Sequence, residues 1–256
     1  MNFFYAIGRN TSRFFHSFIL FFAFIGHVSH SAGTVLFGSS SIAWINILKI
    51  LYNSGTAIAI PLMLMSLLLA STLGLNIYFL LENFNLSSKA LPISQTMLAR
   101  DLLPLLIGLI LCVQTSLNLI IARVKITKLR HGRNEIILNY ILPIIIGTNM
   151  TALLLYAYTL TTSLLGLFYT FHYYFNMNHH EYMNHITHAV TITDLMIGSI
   201  KTLLFGTLVS LTSGYYYYQA AIIHIPLRTA VSRILTRGAL WIAVVSALLR
   251  FLSIFN

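Results

Sequence analysis

The sequence predicts an all-α membrane protein with an N-terminal interfacial helix and five transmembrane helices. Hydrophobic residues make up 57% of the 256 positions, only 8% of residues are charged, and the mean hydropathy is +0.82. A soluble domain of this length would need far more charge on its surface. The charges also gather in short basic stretches between long apolar runs, which is typical of a multi-span membrane protein.

The first 50 residues are predicted to form an N-terminal region, and residues 51–256 a membrane domain. Within the N-terminal region, the apolar segment Phe14–Phe37 contains three histidines and several serines and glycines. These residues weaken it as a spanning helix, so we interpret the segment as a helix lying along the inner leaflet. A sixth membrane span is the alternative for this segment.

Five later runs are long enough to cross the hydrocarbon core, which takes roughly 20 apolar residues. The third is longer than a span requires, so we expect it to tilt or to extend beyond the bilayer. Pro104 and Pro143 lie near the ends of the second and third runs, where a missing N–H is best tolerated. The five runs are Ser54–Leu81, Leu102–Ile121, Ile136–Phe168, Leu195–Tyr218 and Leu235–Phe255.

The basic stretches predict the orientation of the spans. One stretch is Arg123–Arg133 and the other is Arg228–Arg237. Because loops rich in Lys and Arg are retained in the cytoplasm, both stretches and the N-terminus are predicted to be cytoplasmic. Glu82–Ala99 and His172–Asp194 then face outward. Inside-positive loops near anionic lipid also account for the net charge of +10, so no nucleic-acid partner is expected.

The outward segment His172–Asp194 contains five histidines and Glu181. Imidazole nitrogens bind transition metals, so a membrane-embedded, lipid-modifying metalloenzyme is one alternative function. The spacing does not fit the His-Glu-x-x-His pattern of metalloproteases, and we favour a polar loop without a metal. A structural subunit of a larger membrane complex is another alternative. The sequence has no Walker loop or dinucleotide fingerprint, so we expect no cofactor and no ATP hydrolysis on this chain.

Three ionisable residues lie inside or at the edge of the membrane: Arg100, Asp101 and Lys201. Such groups are costly in hydrocarbon and mark functional cavities by default. Asp101 follows Pro92, which suits the first turn of a helix, by nine residues, and Lys201 follows Asp194 by seven. At 1.5 Å rise per residue the two groups reach similar depth. Asp101 is therefore expected to pair with Lys201 or with Arg100, because an unpaired charge would be costly.

Four motifs occur in order along the membrane domain. They are Gly74-Leu75-Asn76-Ile77-Tyr78, Ala99-Arg100-Asp101-Leu102-Leu103-Pro104-Leu105-Leu106, Ile200-Lys201-Thr202-Leu203-Leu204-Phe205-Gly206 and Val231-Ser232-Arg233-Ile234-Leu235-Thr236-Arg237. Together they resemble the MlaE family, the permease subunits of bacterial ABC transporters that move phospholipid with MCE-domain proteins. The family's second motif reads Arg-Glu-Leu-Gly-Pro-Val. The resemblance runs from about Leu51 to the C-terminus.

The resemblance implies a multi-pass permease of the bacterial inner membrane that is not itself an enzyme. It implies a homodimer around an outward-opening phospholipid cavity, an MCE-domain partner and a separate ATPase subunit. The ATPase is expected to dock on a cytoplasmic helix that contains Lys125, Lys128, Arg130, Arg133 and Glu135. The predicted substrate-binding residues are Leu75, Asn76 and Tyr78, at the outer end of the first span, together with Arg100, Asp101 and Lys201.

Overall fold

The computed structural model describes residues 19, 22–34, 44–126, 137–180, 182–184, 191–222 and 226–254. Within these residues the chain forms helices joined by short turns, and it contains no strand. Five of the described helices are long and apolar enough to span a membrane: Ile58–Glu82, Ser87–Asn118, Leu142–Phe175, Ile192–Gln219 and Arg228–Phe251. The predicted fold class is confirmed, and the chain is a multi-pass membrane protein.

The described helices and turns occur in the following order along the chain. Helix α1 covers residues 22–34 and α2 covers Trp44–Leu51, and a π-turn at Tyr52–Thr56 joins α2 to α3, Ala57–Glu82. A 3-10 turn at Ser87–Lys89 leads into α4, Ala90–Met97, a π-turn at Leu98–Leu102 and α5, Leu103–Ile126. A π-turn at Ile137–Ile141 precedes α6, Leu142–Phe175, which is followed by α7, Ile192–Ile222, and α8, Leu227–Ile254.

Each of these π-turns lies shortly before a proline. Pro61, Pro104 and Pro143 lie in the first two turns of α3, α5 and α6. A proline ring clashes with the carbonyl group four residues earlier and supplies no N–H donor. A π-turn widens the backbone at that point, so the helix continues past the proline without a sharp break.

The second span begins earlier than the sequence predicted, at Ser87 rather than Leu102. The prediction was wrong here because the polar side chains before Leu102 lower the hydropathy without breaking the helix. The Ser94 and Thr96 hydroxyls, for example, donate to the carbonyl oxygens four residues earlier, at 2.7 and 3.0 Å. Polar groups that are satisfied by their own helix can remain inside a membrane span.

The second basic stretch is helical rather than a loop. Helix α8 begins at Leu227, so Arg228, Arg233 and Arg237 lie in its first turns, and all three are exposed. The Pro226 carbonyl oxygen accepts the N–H groups of the first turn and starts this helix. Long arginine side chains reach the interface from within a helix, so the apolar run alone underestimates the helix length.

The contact between α3 and α6 depends on small and hydroxyl-bearing residues. The Ser66 and Thr162 hydroxyl oxygens lie 2.6 Å apart, and the Ser71 hydroxyl donates to the Gly166 carbonyl oxygen at 3.2 Å. A Cβ on Gly166 would lie 2.6 Å from the Leu67 carbonyl oxygen, so the two backbones approach closely. Close backbone approach with hydrogen bonds across it is how membrane helices associate without a hydrophobic driving force.

Helix α1 packs against one end of the bundle. Its residues Phe24 and Val28 are buried in a cluster with Leu142, Tyr216 and Ile234. These partners lie at the start of α6, near the end of α7 and near the start of α8, which is the end predicted to face the cytoplasm. The placement of α1 along the inner leaflet stays a prediction.

The predicted topology can be tested with single cysteines in a Cys112→Ala background. His179 and Arg228 are both exposed, and they lie at opposite ends of the bundle. A membrane-impermeant maleimide should label His179→Cys in intact cells, and should label Arg228→Cys only after the cells are permeabilised. Labelling of both positions from outside would show that the topology is wrong.

Candidate functional site

Five charged side chains gather at the predicted outer end of the bundle. The π-turn before α5 supplies Arg100 and Asp101, α7 supplies Asp194 and Lys201, and α8 supplies Arg250. We call these five residues the charge cluster. Its ion pairs connect three separate spans, so the cluster is part of the packing as well as a candidate binding site.

Asp101 is shared by two cations. The Lys201 Nζ donates to Asp101 Oδ1 at 2.6 Å, and the Arg250 Nη1 donates to Asp101 Oδ2 at 3.1 Å. The side chains of Lys201 and Asp101 are 15% and 30% exposed, so surrounding residues shield much of this pair from solvent. The pairing of Asp101 with Lys201 is the first of the two that the sequence predicted, and Arg250 was missed.

Arg100 does not pair with Asp101, which was the second pairing predicted. Its Nε donates to Asp194 Oδ1 at 3.2 Å instead. Successive residues of a helix point about 100° apart, so Arg100 and Asp101 reach different partners on α7.

Asp194 is held in place by the start of α7. The Asp194 N–H donates to Thr191 Oγ1 at 3.3 Å, and the Thr191 N–H and hydroxyl donate to Asp194 Oδ2 at 3.2 and 2.6 Å. This reciprocal arrangement is a capping box, with aspartate in the position usually taken by glutamate. The box occupies Oδ2 and leaves Oδ1 for Arg100. The spacing of Thr191 and Asp194 is a signal in the sequence that could have identified this residue.

A glycine lets α7 approach the π-turn closely. A Cβ on Gly198 would lie 2.5 Å from the Ala99 carbonyl oxygen and would also clash with the Tyr156 hydroxyl. Lys201 lies three residues after Gly198 and so faces the same side of α7. The close approach at Gly198 therefore brings Lys201 within reach of Asp101.

Among the side chains that the structure describes, the charge cluster has one more cation than carboxylates, because three cations face two carboxylates. The side chain of Arg250 is 59% exposed, and that of Arg100 is 38% exposed. The arginines therefore present the excess charge at the surface of the cluster. Arginine binds phosphate and carboxylate oxygens with two parallel hydrogen bonds, so this arrangement suits a singly charged anion.

The other predicted substrate residues lie apart from these ion pairs. The Tyr78 ring stacks on Phe175 with ring centroids 3.6 Å apart, and Asn76 is exposed on α3. Leu75 is half-buried at the same level. This segment packs on α6 at the outer end of α3, and its role in lipid binding stays a prediction.

The predicted ATPase-docking residues fall largely outside the described part of the chain. Lys125 lies in α5, but its side chain is not described. The remaining four lie within residues 127–136, which are also outside the described residues: Lys128, Arg130, Arg133 and Glu135. Their role stays a prediction.

Two described histidines of the outward segment, His172 and His179, contact aromatic rings or backbone. The His172 Nδ1 donates to the Met177 carbonyl oxygen at 2.9 Å, and the His172 ring stacks on Phe168. The His179 ring meets the same Phe168 ring at 5.4 Å between centroids. Among the described residues no group of three or more potential ligands could hold a metal. Glu181, His185 and His188 are outside the described residues.

A small cavity lies between the inner halves of α5, α6 and α7. Its volume is about 30 Å³, and its lining residues are Ile50, Thr115, Asn118, Ile144, Thr148, Ser213 and Tyr217. Sites for drug-sized ligands have volumes of roughly 300–1,000 Å³. This cavity is therefore too small to enclose a phospholipid with two acyl chains.

Comparison with known proteins identifies the family. None of the curated proteins compared with the chain matches it. The family model described as Permease MlaE matches residues 47–252, which include all five candidate spans and the whole charge cluster. The family predicted from the four motifs is thus confirmed, with a match that begins four residues earlier than expected. The chain belongs to the MlaE permease family.

Proposed function

We propose that this permease is the membrane subunit of an ABC-type transporter that moves glycerophospholipids between the inner membrane and an MCE-type periplasmic partner. Family membership supports the role of a transporter subunit. The observation that carries the lipid assignment is the charge cluster, in which three cations face two carboxylates at the predicted outer end.

The phosphodiester of a glycerophospholipid carries one negative charge, which matches the excess charge of the cluster. The partly exposed Arg250 is the first contact for an arriving phosphate. The Lys201 ammonium has three N–H donors, so it can bind a phosphate oxygen while it still donates to Asp101. Asp101 holds both cations in position.

The acyl chains of the lipid need apolar walls. The cavity described above is too small to provide them within one copy of the protein. A second copy of the permease would supply the facing wall, which gives a homodimer around the lipid. Exposed apolar residues follow one face of α3, at Ile60, Leu64 and Leu68. Leu75, Asn76 and Tyr78 continue α3 toward its outer end, where acyl chains and head group would enter.

ATP hydrolysis takes place on a separate subunit under this proposal. The ATPase would dock on the segment from Lys125 to Glu135, whose basic character requires an acidic partner surface. The N-terminus and this segment would both be cytoplasmic, and the MCE-domain protein would bind at the opposite end.

Copurification separates this function from its alternatives. The tagged full chain, extracted in mild detergent, should bring with it an ABC ATPase, an MCE-domain protein and phospholipid. A tightly bound transition metal without an ATPase would favour the lipid-modifying metalloenzyme. A large assembly without ATPase activity would favour the structural subunit.

Removal of the Lys201 amine should impair transport. Hydrogen bonds to charged groups contribute about 1.5–3 kcal/mol, so Lys201→Ala should slow ATP-driven phospholipid transfer in proteoliposomes by about tenfold or more. Lys201→Arg keeps the charge and should retain more activity. Lys49 is an exposed lysine at the opposite end of the bundle, and Lys49→Ala is the matched control. A folded Lys201→Ala variant that transfers lipid at the wild-type rate would contradict the assignment.

A further inference from the structure

The π-turn that carries Arg100 and Asp101 deprives one backbone carbonyl of its helical donor. In an α-helix the Ala99 carbonyl would accept from the Leu103 N–H, four residues later. The Leu103 N–H donates to the Leu98 oxygen instead. Pro104 follows directly and has no N–H to offer. Ala99 is 1% exposed, so water does not readily replace the missing donor.

A tyrosine from a neighbouring span supplies that donor. The Tyr156 hydroxyl, on α6, donates to the Ala99 carbonyl oxygen at 3.0 Å. Tyr156 is 4% exposed, and Gly198 of α7 lies against both the hydroxyl and the Ala99 oxygen. The hydrogen bond is therefore enclosed where three spans meet. Its acceptor, Ala99, precedes Arg100 by one residue and Asp101 by two.

We infer that Tyr156 is a positioning residue for the charge cluster. Its hydroxyl replaces the donor that Pro104 lacks and so fixes the π-turn. The orientation of this turn determines whether the Asp101 carboxylate reaches Lys201 on α7 and Arg250 on α8. The consequence for lipid binding depends on the proposed function, whereas the geometric role does not.

Tyr156→Phe removes the hydroxyl and keeps the buried ring. Tyr182→Phe is the matched control, because the Tyr182 hydroxyl also donates to a backbone carbonyl oxygen, that of Leu164, at 2.6 Å and is attached to a buried ring. Leu164 lies within α6, where its carbonyl is part of the regular helical ladder. The control deletes a similar hydrogen bond without leaving an orphaned acceptor next to the charge cluster.

The rate at which an amine reagent modifies Lys201 reports the pairing directly. The Lys201 amine donates to Asp101 at 2.6 Å and its side chain is only 15% exposed, so the reagent reaches it slowly while the pair is intact. In the purified full chain, Tyr156→Phe should raise the Lys201 labelling rate about fivefold relative to exposed Lys89, in proportion to the loss of one buried hydrogen bond. Tyr182→Phe should leave that ratio within about twofold.

Pro104→Ala provides a rescue that a general packing defect would not give. The new amide N–H at position 104 can donate to the carbonyl groups of the π-turn, so the double variant Tyr156→Phe, Pro104→Ala should label more slowly than Tyr156→Phe alone. Wild-type labelling in Tyr156→Phe, or equal acceleration in Tyr182→Phe, would overturn the positioning role.

Phospholipid bound to the purified chain is measured on the same variants. A several-fold loss of bound phospholipid in Tyr156→Phe, with no loss in Tyr182→Phe, is the result expected. Faster Lys201 labelling with unchanged lipid binding would support the positioning role and contradict the proposed lipid site, so the two failures are distinguishable.

Discussion

Replacing Asp101 with alanine is expected to lower the stability of the permease and to abolish phospholipid transfer. Asp101 is the acceptor for both Lys201 and Arg250, and the Lys201 side chain is only 15% exposed. Removing one partner of a buried ion pair costs about 3 kcal/mol at the lower end of the usual range, because the other charge is stranded. The expected fall in melting temperature in detergent is about 5–10 °C.

Two further variants distinguish the destabilisation caused by an unpaired Lys201 amine from the loss of transfer activity. Asp101→Ala combined with Lys201→Ala removes the stranded amine, so it should recover part of the stability but none of the transfer activity. Glu82 is an exposed carboxylate at the outer end of α3, and Glu82→Ala should change neither quantity. If Asp101→Ala melts and transfers lipid like the wild type, the charge cluster contributes to neither.

Replacing Gly198 with alanine is expected to disrupt the charge cluster from the side of α7. The new Cβ would lie 2.5 Å from the Ala99 carbonyl oxygen and would clash with the Tyr156 hydroxyl. The carbonyl belongs to the backbone, so relief requires that α7 move away from the π-turn. Overpacking of this kind costs about 1–3 kcal/mol, and here it also separates Lys201 from Asp101.

Thermal unfolding and Lys201 labelling, measured on the same sample, test the Gly198→Ala prediction. The control is Gly26→Ala in α1, where a Cβ meets no other atom within 4 Å. Alanine is a better helix former than glycine by about 1 kcal/mol, so Gly26→Ala should be neutral or stabilising. Equal melting temperatures for the two variants would mean that α7 does not need a glycine at this contact.

The sequence predicted the pairing of Asp101 with Lys201 because depth along a helix can be counted. Pro92 and Asp194 indicate where two parallel helices enter the membrane. A fixed rise per residue then places Asp101 and Lys201 at similar depth. Arg250 was missed because it lies near the end of α8, with no start signal from which to count. The partner of Arg100 was missed because depth does not indicate side-chain direction around the helix.

The errors in span boundaries have a related cause. Hydropathy treats every charge as exposed, so it delayed the start of the second span until after Arg100 and Asp101 and the start of the last span to Leu235. In the structure these charges are paired or reach the interface, and the helices continue. The role of Tyr156 could not be predicted, because it depends on how closely α6 and the π-turn approach each other in space.

A structure of the purified transporter with native phospholipid tests the central claim most directly. We predict a phosphate group whose oxygens lie within hydrogen-bonding distance, about 3 Å, of the Lys201 Nζ or the Arg250 guanidinium. The same density should be lost in Lys201→Ala. A phospholipid whose phosphate binds elsewhere in the assembly, with Lys201 and Arg250 in contact with no lipid, would contradict the claim.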